Sequence, residues 1–136
     1  MTKKTPNTHP VIAIDLDGTI WKEEYPDCSV PFDGAIECVN DMIKAGYEVI
    51  IWTARGGDNL NGVKYFLIDE YGLNPNVKFN EHSNWFTSIY PIASPKVNAS
   101  VYFDDKAYGA PDYSNPETWA NIRKEYLSWQ NKQIIC

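Results

Sequence analysis

The chain has 136 residues, of which 43% are hydrophobic and 22% charged, as expected for one compact domain spanning residues 1–136. Aromatic residues make up 14% of the sequence, enough large apolar surface to build a core without a disulfide or metal staple. The formal net charge of −6 argues against non-specific binding to nucleic acid or acidic lipid. A phosphate ester bound in one local site remains compatible with this charge.

The sequence shows neither the pattern of a secretory or membrane-spanning segment nor the cysteine and histidine spacing of a zinc site. The first apolar run, Val11 to Ile14, is too short for the core of a secretory signal, and no apolar stretch approaches the ~20 residues of a membrane-spanning helix. The three cysteines form no CxxC pair, and there are two histidines. These patterns predict a cytoplasmic protein with free thiols and no membrane contact.

Short apolar runs alternate with amphipathic segments along the chain. Val11 to Ile14 and Glu48 to Thr53 are rich in β-branched residues and end in polar residues, which is typical of buried parallel strands. Between them, apolar residues at helical spacing predict a helix with Asp33 as its N-cap and Gly46 as its stop. The segment is therefore predicted to be a βαβ unit.

The same alternation continues to the end of the chain. A second helix is predicted before Gly72, followed by short strands at Val77 to Phe79 and Ser100 to Phe103. Ser114 to Glu117 resembles a capping box that opens a last helix. The buried stripe of that helix would comprise Trp119, Ile122, Tyr126 and Trp129. We therefore predict an α/β fold: an open, three-layer, Rossmann-like, mostly parallel sheet with helices on both faces.

Two carboxylates, Asp15 and Asp17, follow the first predicted strand and precede Gly18 and Thr19. Two anions this close repel each other unless a cation or a shared proton compensates, so the spacing predicts a divalent metal or an acid/base pair. A solvated turn is the alternative, because Asp and Gly are common turn residues. An EF-hand loop is excluded, since the required Gly and bidentate Glu are missing from their positions.

A second acidic pair, Asp104 and Asp105, follows the strand that ends at Phe103, and a parallel sheet would bring it to the same edge as Asp15. Hard oxygen ligands without histidine or thiolate suit Mg²⁺, which binds carboxylates together with a phosphate oxygen. Thr53, with a nearby backbone amide, and Lys96 are candidate phosphate ligands. Taken singly, a strand-end threonine and a loop lysine are more often structural and solvated.

In this order, DLDGT after a buried strand, a threonine after the second strand, a later lysine and an Asp-Asp pair resemble the four motifs of the haloacid dehalogenase-like (HAD) hydrolase superfamily. The resemblance implies a magnesium-dependent phosphatase in which Asp15 is the nucleophile that forms an aspartyl-phosphate. Asp17 would be the general acid and base. By the same resemblance, the phosphate would be bound by Gly18, Thr19, Thr53, Ala54 and Lys96. Magnesium would be bound by the Asp15 carboxylate, the Asp17 backbone carbonyl and Asp104, with Asp105 as a further ligand or a support for the others.

The two places where this family inserts cap domains are short in this chain. About a dozen residues separate Thr19 from the helix near Asp33, and fewer than twenty separate Phe79 from Lys96, so we expect no separate cap domain. A neighbouring subunit could cover such an exposed site, so a homo-oligomer is compatible with the sequence. The aromatic and proline residues in these gaps either flank the mouth of the site or pack over loops: Trp21, Tyr25, Pro26, Trp85, Phe86 and Tyr90.

The substrate class remains open at this stage. A nucleotide, a sugar phosphate and a phosphorylated macromolecule end are all compatible, and Arg55 is a candidate contact for a second phosphate or carboxylate. A dehalogenase has no need for Asp17, and a signalling receiver domain has its acidic residues in a different order. Two further hypotheses stay open: a phosphotransferase, and a non-catalytic metal- or partner-binding domain whose surface would be the aromatic C-terminal helix.

Overall fold

In the computed structural model, which describes residues 11–82 and 97–135 with side chains up to residue 128, the described residues form four strands and three helices. The order of elements agrees with the order predicted from hydrophobic periodicity. The strands are β1 (Val11–Asp15), β2 (Glu48–Trp52), β3 (Lys78–Phe79) and β4 (Val101–Phe103), and the helices are α1 (Ala35–Lys44), α2 (Gly57–Tyr71) and α3 (Pro116–Ile135).

The four strands form one parallel sheet in the order β3-β2-β1-β4. β1 lies inside the sheet, where Asp15 pairs with Trp52 of β2 and Ile14 pairs with Phe103 of β4. Val11 to Ile14 are at most 2% exposed, as expected for a strand that is covered on both faces. The predicted open, Rossmann-like α/β fold is confirmed.

One face of the sheet carries the main core. Because side chains alternate along a strand, Ile12 and Ile14 of β1 share this face with Val49 and Ile51 of β2. Helices α1, α2 and α3 all bury side chains in the same cluster, and Trp119 of α3 is fully buried there. The predicted stripe of α3 is seen up to Tyr126, while the side chain of Trp129 lies outside the described residues.

The opposite face has a smaller apolar cluster formed by Val11, Ala13, Ile50 and Val97. A helical layer on this face was also predicted. Within residues 11–82 and 97–135, however, the helices bury their side chains on the first face. The second helical layer therefore stays a prediction for the part of the chain outside this description.

Two predicted helix starts are wrong in detail. Asp33 is not the N-cap of α1: that position is Gly34, at φ 86°, and no side chain caps the helix. At α3 the cap is Asn115 instead of Ser114, because the Asn115 Oδ1 atom accepts a hydrogen bond from the Glu117 amide at 2.9 Å. Each prediction placed the cap one residue too early.

None of the helices within the described ranges has the combination of length and apolarity that a membrane crossing requires.

Candidate functional site

The carboxyl ends of β1, β2 and β4 meet at one edge of the sheet and bring polar residues together. Asp15 ends β1, and Thr53 directly follows Trp52, the residue of β2 that pairs with Asp15. Asp104 and Asp105 directly follow β4 on the other side of β1. The edge predicted to carry the chemistry is therefore built from three neighbouring strands, which is where ligands bind in open α/β sheets.

Three carboxylates form a cluster at this edge. One oxygen from each of Asp15, Asp104 and Asp105 lies within 4.8 Å of the other two, and all three residues are half-buried. Burial, together with hydrogen bonding to Asp105 and repulsion from Asp104 and Asp105, raises the pKa of Asp15 to about 7. Without a cation, Asp15 therefore keeps its proton to a higher pH than an ordinary aspartate does.

Gly18 and Thr19 hold Asp105 in place. The Thr19 hydroxyl donates to Asp105 Oδ1 at 3.2 Å and accepts from the Asp105 amide at 3.0 Å. Gly18, at φ 89°, lies so close that a Cβ atom there would be 2.2 Å from Asp105 Oδ2. Both residues were predicted to bind phosphate. Their amides instead donate to Trp21 O and Leu16 O, so in this structure they shape the acidic cluster.

The donor set fits a hard divalent cation such as Mg²⁺. Three carboxylate oxygens supply the ligand type that this ion prefers, and no described histidine or cysteine belongs to the cluster. Lys106 approaches Asp105 Oδ2 and Glu23 Oε1, each at 3.6 Å, but its side chain is 71% exposed. Such an exposed ion pair offsets little of the repulsion, so a bound cation would relieve most of it.

The Asp17 carboxylate lies outside this cluster and is bound by other groups. Its Oδ1 atom accepts from Arg55 Nη2 at 2.8 Å and from Trp21 Nε1 at 3.0 Å. Its Oδ2 atom accepts from Arg55 Nε at 3.0 Å. The side chain predicted to be the acid/base is thus held by a bidentate arginine and an indole.

Arg55 is 3% exposed, and all of its five N–H donors are used by this chain. Besides the two bonds to Asp17, Nη1 donates to Pro26 O and Asn59 Oδ1, and Nη2 donates to Asp27 O. The hydrogen bonding that Arg55 donates to the Asp17 carboxylate is the main cause that raises the pKa of Arg55 above its ordinary value. This differs from the expectation that Arg55 contacts a substrate, because no donor remains for one.

Aromatic rings cover the guanidinium of Arg55. Its Cζ atom lies 5.6 Å from the centroid of the Trp21 ring and 5.2 Å from that of Tyr25. Trp21 is fully buried in the main core, which supports its packing role, whereas Tyr25 is 63% exposed. Arg55 therefore links the loop around Pro26 to the site through hydrogen bonds, and Tyr25 is an aromatic side chain of this loop that faces solvent.

Thr53 and Ala54 leave hydrogen-bonding capacity that faces no described partner. The Thr53 Oγ1 atom accepts from the Arg55 amide at 3.2 Å, but its hydroxyl proton has no acceptor among residues 11–82 and 97–128. The exposed Ala54 likewise has no described acceptor for its amide. Both groups could donate to a phosphate oxygen, and their role as phosphate ligands stays a prediction. Lys96, Trp85, Phe86 and Tyr90 lie outside the described residues.

Asn80 is a site residue that the sequence reasoning missed. Its Oδ1 atom accepts from the Thr53 amide at 2.8 Å, and its Nδ2 atom donates to the carbonyls of Thr53 and Arg55. It follows β3 directly and has a φ of 55°, a conformation that asparagine tolerates better than most residues. A polar residue after a predicted strand was the available signal.

Cavity size does not mark this edge. A cavity of about 20 Å³, room for roughly one water, is lined by Asp15, Trp52 and Asp104, among others. A cavity of about 840 Å³ opens instead beside Tyr47 and Glu48, where β2 begins. Converging carboxylates carry more chemical information than volume, so the candidate site remains at the carboxyl edge.

Comparison with known proteins supports the fold and goes no further. No protein-family model matches the chain, and no similar protein was found among the curated ones. The chain is similar to the solved structure of a conserved protein coded by a locus from Bacteroides thetaiotaomicron, at 24% identity and a TM-score of 0.67. The match covers 86% of this chain and 92% of that chain. At this identity, the likeness shows a shared α/β fold.

Proposed function

We propose that this protein is a magnesium-dependent hydrolase of phosphate monoesters that works through an aspartyl-phosphate on Asp15. The observation that carries the proposal is the convergence of the Asp15, Asp104 and Asp105 carboxylates next to Thr53 and Ala54, whose hydroxyl and amide have no acceptor among the described residues. A cation held by the carboxylates and a phosphoryl group held by the donors would lie side by side. The HAD-like order of the motifs is consistent with this assignment.

The proposed reaction has two steps. In the first, an Asp15 oxygen forms a bond to phosphorus, the bond to the leaving oxygen breaks, and that oxygen takes a proton from Asp17. In the second, water attacks phosphorus, its proton passes to Asp17, and the bond to Asp15 breaks to release inorganic phosphate. Magnesium would supply charge neutralisation between the carboxylates and the phosphoryl oxygens.

The proposal extends to the phosphate ligands and to the class of substrate. Thr53 and Ala54 would orient the phosphoryl group, and Lys96 would add a positive charge. The substrate would be a nucleotide, a sugar phosphate or a phosphorylated macromolecule end, met in the cytoplasm. The 12 lysines and arginines against 18 acidic residues favour a substrate that carries few charges beyond its reacting phosphate.

A non-catalytic metal-binding domain is the second candidate. The observation that favours it is the Asp17 carboxylate, which is occupied by Arg55 and Trp21 and is not a member of the acidic cluster. Under this alternative, magnesium would bind and stabilise the fold, but no phosphate ester would be turned over.

The decisive experiment measures p-nitrophenyl phosphate hydrolysis and thermal melting with magnesium and with EDTA. We expect turnover with magnesium alone, and a higher melting temperature because the ion binds the native state. Asp15→Asn should abolish turnover, whereas Asp69→Asn, on the exposed side of α2, should leave it unchanged. Magnesium-dependent melting without turnover would favour the binding domain, and no response in either measurement would contradict both candidates.

A further inference from the structure

The two oxygens of the Asp17 carboxylate are engaged to different extents. Oδ1 accepts two hydrogen bonds, from Trp21 Nε1 and Arg55 Nη2, whereas Oδ2 accepts one, from Arg55 Nε. A carboxylate oxygen has about two lone-pair positions. Oδ1 is therefore saturated, and Oδ2 keeps one acceptor position that no described group fills.

Arg55 donates one hydrogen bond to each of the two Asp17 oxygens. All of its N–H donors are used within the chain, so none is left for a substrate. Its side chain is 1% exposed, and its remaining donors are held by Asn59 Oδ1 and the carbonyls of Pro26 and Asp27. A guanidinium held from five directions cannot rotate without breaking several buried hydrogen bonds at once. The bidentate pair therefore sets the plane of the Asp17 carboxylate.

We infer that Arg55 is a positioning residue that fixes the Asp17 carboxylate so that Oδ2 alone exchanges the proton during phosphate ester hydrolysis. This inference rests on the proposed function. Arg55 acts through Asp17, and does not touch the phosphoryl group. The loop at residues 26–27 contributes to this positioning, because its two carbonyl oxygens accept hydrogen bonds from Nη1 and Nη2 of Arg55.

The proton balance assigns a direction to each step. When the aspartyl-phosphate is hydrolysed, the water oxygen bonds to phosphorus, the water proton goes to Asp17 Oδ2, and the phosphorus–Asp15 bond breaks. In the preceding step, the proton on Oδ2 goes to the leaving oxygen as its bond to phosphorus breaks. Trp21 and Arg55 fill both acceptor positions of Oδ1, which leaves Oδ2 as the oxygen that can take up the proton.

The test compares Arg55→Lys, which keeps a cation but loses the bidentate geometry, and Arg55→Gln with the full-length wild type. Substrate is p-nitrophenyl phosphate with magnesium, and kcat, KM and the fraction of phosphorylated protein are measured. We expect kcat to fall about 10- to 100-fold in both variants, with KM changed by less than about threefold. The phosphorylated fraction should rise, because this good leaving group needs little protonation and proton acceptance from water limits turnover.

Two comparisons separate positioning from a structural effect. Arg123→Gln removes another Arg–Asp pair, to Asp41 on α1, and should change none of the three quantities. In Asp17→Asn, adding Arg55→Lys should lower kcat little further, since the group that Arg55 positions is already lost. If Arg55→Gln melts below the assay temperature, Arg55→Lys carries the test.

The possible failures are distinguishable. A rise in KM of tenfold or more at unchanged kcat would make Arg55 a substrate contact and overturn the inference. Multiplicative effects of Arg55→Lys and Asp17→Asn, or an unchanged kcat in both Arg55 variants, would also overturn it, while leaving the proposed function intact. Wild-type protein without turnover, or turnover retained by Asp15→Asn, would overturn the proposed function and this inference together.

Discussion

Gly18 shows how one residue without a side chain shapes the acidic cluster. Its φ of 89° is a conformation that side chains rarely adopt, and a Cβ atom would clash with both Asp105 carboxylate oxygens. The sequence places a glycine after Asp17, but turn chemistry alone explains it equally well. The clash with a residue 87 positions away along the chain becomes visible only in the folded structure.

We expect Gly18→Ala to lower the free energy of unfolding by at least about 2 kcal/mol, because backbone strain adds to displacement of Asp105. The measurement is urea denaturation with and without magnesium. Gly57→Ala is the matched control, since Gly57 also has a positive φ, of 56°, but nothing lies within 4 Å of its Cβ position. Equal losses in the two variants, with unchanged magnesium binding, would mean that the contact with Asp105 has no energetic weight.

The raised pKa of Asp15 predicts a pH dependence of the metal-free protein. Its pKa rises from the ordinary 3.8 to about 7, so between these values the native state binds more protons than the unfolded state. The contribution of Asp15 to stability is therefore full below about pH 4 and is lost as the pH rises through about 7. Burial is the largest cause, followed by the bond to Asp105 and the nearby charges.

The check is the melting temperature of wild type minus that of Asp15→Asn, measured in EDTA from about pH 4 to 8. The difference should fall with increasing pH and level off above about 7. Magnesium should weaken or reverse the decline, because the ion replaces the proton. A difference that stays flat in EDTA would mean that folding leaves the pKa of Asp15 unchanged, and a difference that rises with pH would mean that folding lowers it; either result would contradict the prediction.

At the scale of elements, β3 has two residues, yet it ends at an important junction. Asn80 follows it and binds the backbone of the loop after β2 through three side-chain hydrogen bonds. These three hydrogen bonds fix the backbone from Thr53 to Arg55, which carries the Thr53 hydroxyl and the Ala54 amide. The edge strand therefore contributes to the site through the residue that ends it.

Replacing Asn80 with glycine keeps the backbone conformation accessible but removes the three hydrogen bonds. We expect a loss of about 2 kcal/mol in unfolding free energy, together with weaker binding of inorganic phosphate, because the Thr53 loop loses its support. Asn80→Ala should cost more, since alanine also disfavours a φ of 55°. Urea denaturation and phosphate titration give the two quantities. Unchanged phosphate binding at reduced stability would limit Asn80 to a structural role.

Hydrophobic patterning predicted most of the elements, because burial dictates the spacing of apolar residues. The runs at Val11 and Glu48 became β1 and β2, and the stop at Gly72 is the C-cap of α2. Grouping of Asp15 with Asp104 and Asp105 followed from the rule that parallel strands share one carboxyl edge. The cap at Asp33 failed because a glycine with positive φ already provides the turn there.

The roles of Gly18, Thr19 and Arg55 could not be predicted in the same way. Each role depends on which other residue contacts the side chain or backbone in the folded structure. Those residues are distant in sequence: Asp105 for Thr19, and Asp17 for Arg55. A motif gives the residue type required at a position, but it does not show whether a donor faces a ligand or another part of the chain. Asn80 was missed for the same reason.

On the scale of the whole molecule, the segment between Thr19 and α1 is a loop that touches the core through Trp21. It forms two isolated bridges and is too short to fold as a separate lid. Within residues 11–82 and 97–135, this loop is the segment next to the site that could cover it, and a cover of this size excludes water poorly. A large substrate or a second subunit would then have to complete the enclosure.

We therefore expect kcat/KM to increase with substrate size across esters that share one reacting phosphate, because remote binding energy helps to position the phosphoryl group. The series would run from a small sugar phosphate to a nucleotide and then to a bulky phosphate ester that adds no further charge, because the net charge of −6 repels a long polyanion. Sedimentation would establish whether the protein is monomeric during the assay. Equal kcat/KM values for small and large substrates in a monomer would show that neither a large substrate nor a second subunit is needed to cover the site.

The closed hydrogen-bonding shell of Arg55 has a consequence for how this chain can vary in evolution. Loss of Asp17 would leave a buried cation without its counter-charge, and loss of Asn59 would leave one of the guanidinium donors without an acceptor; both changes destabilise the fold. Asp17 and Asn59 hold it through side chains, whereas positions 26 and 27 use main-chain carbonyls that any residue provides. In an alignment of homologues, position 55 should covary with positions 17 and 59, while the identities at 26 and 27 drift independently of it.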